Sequence, residues 1–149
     1  MDMEHKGSRR ALIILDGFAV LATLIGMCML VFGWGYRFPM SWLQGTPFAD
    51  YTVPGLILGL VVGGSALVAM VATIKSAGTG AIVSMIAGVI MMGWIVGEYL
   101  LIPEIRFFSN LATNWQQGLY FLVGLVMVVL ALRVIPGGWH GMLHAAHLA

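Results

Sequence analysis

Charge is scarce in this chain. Asp, Glu, Lys and Arg make up 9% of its 149 residues, against 60% hydrophobic ones, and the mean hydropathy is +0.98. A soluble domain cannot bury that much apolar surface. Cysteine is almost absent as well, and the lone Cys28 excludes an internal disulfide. No histidine falls inside a long apolar run, which argues against a haem held by axial ligands between helices. A net charge of +1 gives no basic surface for nucleic acid. No C-x-x-C, H-E-x-x-H, P-loop or Ser-His-Asp pattern occurs, so nothing in the sequence points to an enzyme and no cofactor is expected.

What the chain does have is long uncharged stretches. Crossing a hydrocarbon core takes roughly 20 mostly apolar residues, and windows 17–36, 51–74, 76–97 and 107–132 contain no charged residue. They predict an all-α membrane protein, a four-transmembrane-helix antiparallel bundle with an aromatic outer loop. Spans are expected at about 11–33, 54–74, 81–102 and 114–135. Residues 1–10 then form a cytoplasmic N-terminal tail, 11–135 the membrane domain and 136–149 a second cytoplasmic tail. Arg9 and Arg10 before an apolar run would also suit a signal peptide. That run is as long as a full span, Asp16 interrupts it and no small-residue cleavage site follows, so a permanent helix is the expectation. Basic residues are retained on the cytoplasmic side of short loops. Lys6, Arg9, Arg10, Lys75 and Arg133 fall on one side and only Arg37 and Arg106 on the other, which puts both termini in the cytoplasm.

The second span is the organising element. Pro54 suits a first helical turn, because it has no amide hydrogen to lose. Gly55, Gly59 and Gly63 recur every four residues and share a face that admits a close neighbouring helix. Gly93 and Gly97 form a second small-residue pair on the third span. Trp34, Tyr36, Phe38 and Trp42 mark the outer interface, and the loop they enter, 37–52, is rich enough in proline and aromatics to pack as a lid or a short interfacial helix. A tight inner turn is expected at 75–80, with Gly78 and Gly80 supplying its freedom.

Few residues could carry chemistry. Glu98 lies about one turn inside the outer end of the third span, where an unpaired carboxylate is costly. Arg37 and Arg106 are the basic residues on that side, with Asp50 and Tyr51 in the same layer. The set reads either as a ligand site or as an ion pair pinning the outer loops. Asp16 lies two turns into the first span, and Arg133 at similar depth on the fourth is its expected partner in an inner ion pair. His140, His144 and His147 share a face at i, i+4 and i+7 if the tail is helical. Two such histidines can share a metal, but three span two turns, and Gly141 weakens the helix.

The run Leu43-Gln44-Gly45-Thr46-Pro47-Phe48-Ala49-Asp50-Tyr51-Thr52-Val53-Pro54-Gly55-Leu56-Ile57-Leu58, continued by Val62-Gly63-Gly64-Ser65-Ala66-Leu67, resembles a widespread family of small bacterial four-helix membrane proteins without an assigned function. Gly93-Trp94-Ile95-Val96-Gly97-Glu98 and Gln117-Gly118-Leu119-Tyr120-Phe121 are similar to that family's third and fourth helices. The resemblance covers most of the chain apart from its tails. It implies a bacterial inner-membrane fold and brings no catalytic residues with it. The first functional expectation is a structural or accessory protein, in a homo-oligomer or with other membrane subunits. The alternative is a small oligomeric transporter or channel with an outer polar site around Glu98. A lipid- or quinone-related membrane enzyme comes third.

Overall fold

The computed structural model describes residues 2–35, 37–102 and 111–135, and these are helical with no strand among them. Helix α1 is Asp2–Phe32. A 3-10 helix at Met40–Leu43 follows in the loop. Helix α2 is Thr52–Lys75, α3 is Ala77–Leu101 and α4 is Leu111–Val134. All four helices are long and apolar enough to cross a membrane. Large apolar side chains such as Ile14, Leu60, Val68 and Leu100 point outward, each at least 60% exposed, while the interior is built largely from Ala19, Ala66, Ala69, Ala81, Ala87 and Ala131. That arrangement, small inside and bulky outside, suits a lipid solvent, where close backbone packing replaces the missing hydrophobic drive.

Two boundaries differ from expectation. The first ten residues do not form a tail separate from the helix: α1 begins at Asp2, and Ser8 is already buried. The turn expected over 75–80 shrinks to Ser76, whose extended backbone (φ −147°, ψ 124°) separates α2 from α3. Gly78 and Gly80 are inside α3. The glycine at 80 is there for proximity, since a Cβ on it would collide with the backbone of Thr73.

Helix α2 starts where Asp50 Oδ1 accepts the amide of Thr52 at 2.8 Å, with Pro54 in its first turn. Its middle, Ile57–Gly63, is a π-helix. This segment accounts for the glycine face. A spacing of four overshoots an α-helical turn by about 40°, whereas the wider π turn undershoots it and reverses the drift. All three glycines therefore meet α1. A Cβ at Gly55 would lie 3.0 Å from Leu30 Cβ, one at Gly59 would strike Met27, and one at Gly63 would strike Thr23. Helices α3 and α4 touch backbone to backbone: a Cβ at Gly88 would lie 2.6 Å from the carbonyl oxygen of Gly124, and one at Gly124 would lie 2.8 Å from that of Gly88. Gly93 and Gly97, expected as a packing pair, meet nothing within 4 Å among the described residues. They fall off the stripe of Ser84, Gly88, Met91 and Ile95 that α3 buries.

A contact between α1 and α2 closes the end near Ser76. Arg9 donates from Nε to the carbonyl of Thr73 at 3.0 Å and from Nη2 to that of Ile74 at 2.8 Å. These carbonyls belong to the last turn of α2 and have no partner further along the helix, so the guanidinium of one helix caps another. Arg9→Met is expected to lower stability by about 1.5–3 kcal/mol, the usual worth of hydrogen bonds from a charged donor. Thermal unfolding in detergent measures it, and an unchanged midpoint would contradict it.

Candidate functional site

The loop after α1 is a built structure. Gly33, Gly35 and Gly45 adopt positive φ (64°, 79° and 85°), which turns the chain back over the helix ends. Leu43 plugs into the protein, only 4% exposed. The hydroxyl of Tyr51 donates to the carbonyl of Pro39 at 2.8 Å. The Phe38 ring lies 5.7 Å from that of Tyr51 and 6.1 Å from that of Trp42, both tilted. Three rings held in this way form a roof, as the composition of the loop had suggested.

Beneath it is a cavity of about 210 Å³. Helix α1 lines it with Ala22, Thr23, Ile25, Gly26, Met29 and Leu30, and α2 with Leu58 and Val62. Helix α3 contributes Met91, Trp94, Ile95 and Glu98, the residue after it Ile102, and α4 contributes Gln116, Gln117 and Tyr120. The α3 residues repeat at the three- and four-residue intervals of one helical face. Glu98 therefore continues inward the stripe that begins at Ser84. Trp94, one turn back on the same helix, lines the cavity beside it. Thr23 Oγ1 is turned onto its own helix, donating to Ala19 O at 2.7 Å. Apart from the Tyr51 hydroxyl already bonded to Pro39, the other polar groups among the lining residues described are the Glu98 carboxylate, the Tyr120 hydroxyl, the indole N–H groups of Trp42 and Trp94 and the two glutamine amides.

Of the residues expected around Glu98, the structure brings Tyr51 to the same cavity and leaves two others outside. Arg37 is exposed, and its side chain folds against Gly33, where a Cβ would lie 3.3 Å from Arg37 Nε. Asp50 is engaged in starting α2. Arg106 lies outside the described residues, as do His140, His144 and His147. Among the described residues no group of three or more His, Cys, Asp or Glu is placed to hold a metal.

Asp16 occupies a different setting, fully buried between α1, α2 and α3. Ser84 Oγ donates to its Oδ2 at 2.7 Å, and the Oγ atoms of Ser84 and Thr73 are 3.1 Å apart. Thr73 in turn donates to Ala69 O at 2.8 Å. The inner ion pair with Arg133 is not formed: Arg133 is exposed, because Ala131 and Val134 on either side of it take the inward face of α4. Asp16 Oδ1 accepts no hydrogen bond among the described residues.

Sequence reasoning missed the wall opposite Glu98. Gln117 and Tyr120 sit three residues apart on α4, a spacing that shares a face and could have marked them. Arg9 and Thr73 gave no such signal, since their meeting depends on where α2 ends. The chain matches no family model, no curated protein and no solved structure. The geometry alone carries the functional reading.

Proposed function

We propose that the protein is an antiparallel four-helix bundle of the bacterial inner membrane, both ends cytoplasmic, whose work is to bind a small amphipathic solute at its outer end, as a small transporter acting in an oligomer. The antiparallel reading is supported by the order in which Gly55, Gly59 and Gly63 meet Leu30, Met27 and Thr23, rising along α2 and falling along α1. The orientation rests on the excess of basic residues at the end opposite the aromatic loop. The bacterial assignment follows the resemblance of the 43–58 run.

The observation that carries the binding reading is Glu98 lining a cavity with no basic side chain against it among the described residues. A carboxylate inside a membrane span is expensive to keep and marks a functional site by default. A structural ion pair needs an arginine, and Arg37, one of the two expected there, is folded against Gly33 instead. The test is thermal unfolding in detergent with a panel of small amphipathic solutes, on the natural protein and on Ala22→Phe, which fills the cavity from α1. A solute present at 100 times its Kd stabilises a single-site protein by about 2.7 kcal/mol, and that gain is expected in the natural protein and absent from the variant. A panel with no effect, or an equal effect on both proteins, would refute the reading.

A second reading, docking to another membrane subunit or to a second copy, is favoured by Gly93 and Gly97. They leave a face of α3 with nothing against it within 4 Å among the described residues, and in lipid such a face admits close backbone approach.

A further inference from the structure

We infer that the solute is an organic monocation, a quaternary or tertiary ammonium group on a body of about one ring, held with its charge at Glu98 and its head under the aromatic roof. This rests on the binding role proposed for the same cavity and names its ligand class.

Four observations converge on that class. Among the described residues Glu98 is the one carboxylic acid in the lining, and Lys, Arg and His are absent from it, so an anion meets repulsion and a neutral hydrocarbon leaves the carboxylate without a partner. Rings come at the site from two directions: Phe38, Trp42 and Tyr51 from the loop, Trp94 and Tyr120 from α3 and α4. Aromatic faces attract cations, and quaternary ammonium groups are their best-attested ligands. A bare metal ion is poorly served, because Ca²⁺ takes six to eight oxygen ligands and Mg²⁺ needs near-ideal octahedral geometry, while this lining offers one carboxylate beside two amides and the Tyr120 hydroxyl, those of Thr23 and Tyr51 being bonded to backbone carbonyls. Size agrees as well. The cavity of about 210 Å³ equals the liquid volume of about seven waters, enough for a ring with a trimethylammonium head and below the usual range for drug-sized ligands.

Phenyltrimethylammonium and tert-butylbenzene have the same shape and differ in charge, which makes them the probes. Binding of each is measured in detergent as the shift in unfolding midpoint against probe concentration, for the natural protein, Glu98→Gln and Ala22→Phe. Partition of a given probe into the micelle is the same for all three proteins, and the two probes are compared at equal concentrations free in the aqueous phase, measured by equilibrium dialysis against the same detergent. The expected result is a preference of at least tenfold for the cation in the natural protein, lost in Glu98→Gln, with neither probe shifting Ala22→Phe. Equal binding of the two probes, abolished by Ala22→Phe, would leave a binding cavity standing and overturn the cationic class. A cation preference that survives in Glu98→Gln would likewise overturn the assignment. Failure of both probes to shift the natural protein would overturn the inference together with the reading beneath it. That last comparison needs no variant, so a misfolded substitution cannot obscure it.

Discussion

Gly88→Ala is expected to destabilise the protein by about 3 kcal/mol, although alanine at an open helical position normally gains roughly 1 kcal/mol over glycine. The new Cβ would lie 2.6 Å from the carbonyl oxygen of Gly124 and 3.2 Å from Met127 Cβ. A carbonyl oxygen is fixed by its own helix and cannot rotate away, so α3 and α4 must separate and lose contact along the seam. Gly80→Ala meets the same obstacle in the Thr73 backbone and belongs with it. Gly93→Ala is the control, because nothing lies within 4 Å of the added atom and only the helix propensity gain remains. Unfolding in a graded denaturing detergent should order the proteins with Gly93→Ala at or above the natural chain and Gly88→Ala and Gly80→Ala well below it. If Gly88→Ala is as stable as Gly93→Ala, the close crossing of α3 and α4 is wrong.

The second large effect is expected at Ser84. Its hydroxyl is the donor to Asp16 at 2.7 Å, and the other carboxylate oxygen accepts nothing among the described residues. Ser84→Ala changes almost no volume yet strands a fully buried carboxyl group, at a cost of about 3 kcal/mol. Asp16→Ala should cost less, because Ser84 keeps its contact with Thr73 at 3.1 Å and no charge is left behind. The double variant should then be about as stable as Asp16→Ala alone, since removing both partners leaves no unmet group. A double-mutant cycle by thermal unfolding reads this directly. Additive losses would mean that Ser84 and Asp16 are not partners.

The positions of the four helices were legible because membrane spans announce themselves by length and by absence of charge. The inward stripe of α3 was legible for a related reason: Ser84, Gly88, Met91, Ile95 and Glu98 share one helical face, and four of them are buried while Glu98 lines the cavity. The partners of the acidic residues were not. Pairing each carboxylate with the nearest arginine in the same layer is an argument from depth alone. Depth says nothing about rotation around the helix axis, and rotation put Arg133 outside and Ser84 inside. The π segment was equally hidden, because Ile57–Gly63 contains no residue type peculiar to that conformation. The loop was legible in kind, since its aromatics and prolines foretold a packed lid. Its hold on the bundle through Leu43 and the Tyr51 to Pro39 hydrogen bond was not.

The glycine contacts also divide the protein mechanically. Where α3 meets α2 at Gly80 and α4 at Gly88, backbone rests on backbone, and no side chain stands between to deform. The nearest atom across each joint is a backbone atom, even with the side chains of Thr73 and Met127 beside it, so these joints are the stiffer ones. The joint of α1 with α2 is of another kind: Gly59 and Gly55 rest on the side chains of Met27, Leu30 and Val31, and a thioether chain has three torsions to spend before backbone must move. The same joint contains the π turns, whose extra width can be taken up by reverting to α geometry. Below the cavity, Val62, Ala66, Ala19 and Ala87 fill the interior with at most 2% exposure each, so a single rigid chain offers a bound solute a blind-ended recess. For the transport proposed above, passage beyond it would need the helices to shift, and of the glycine joints described the one between α1 and α2 is the more deformable.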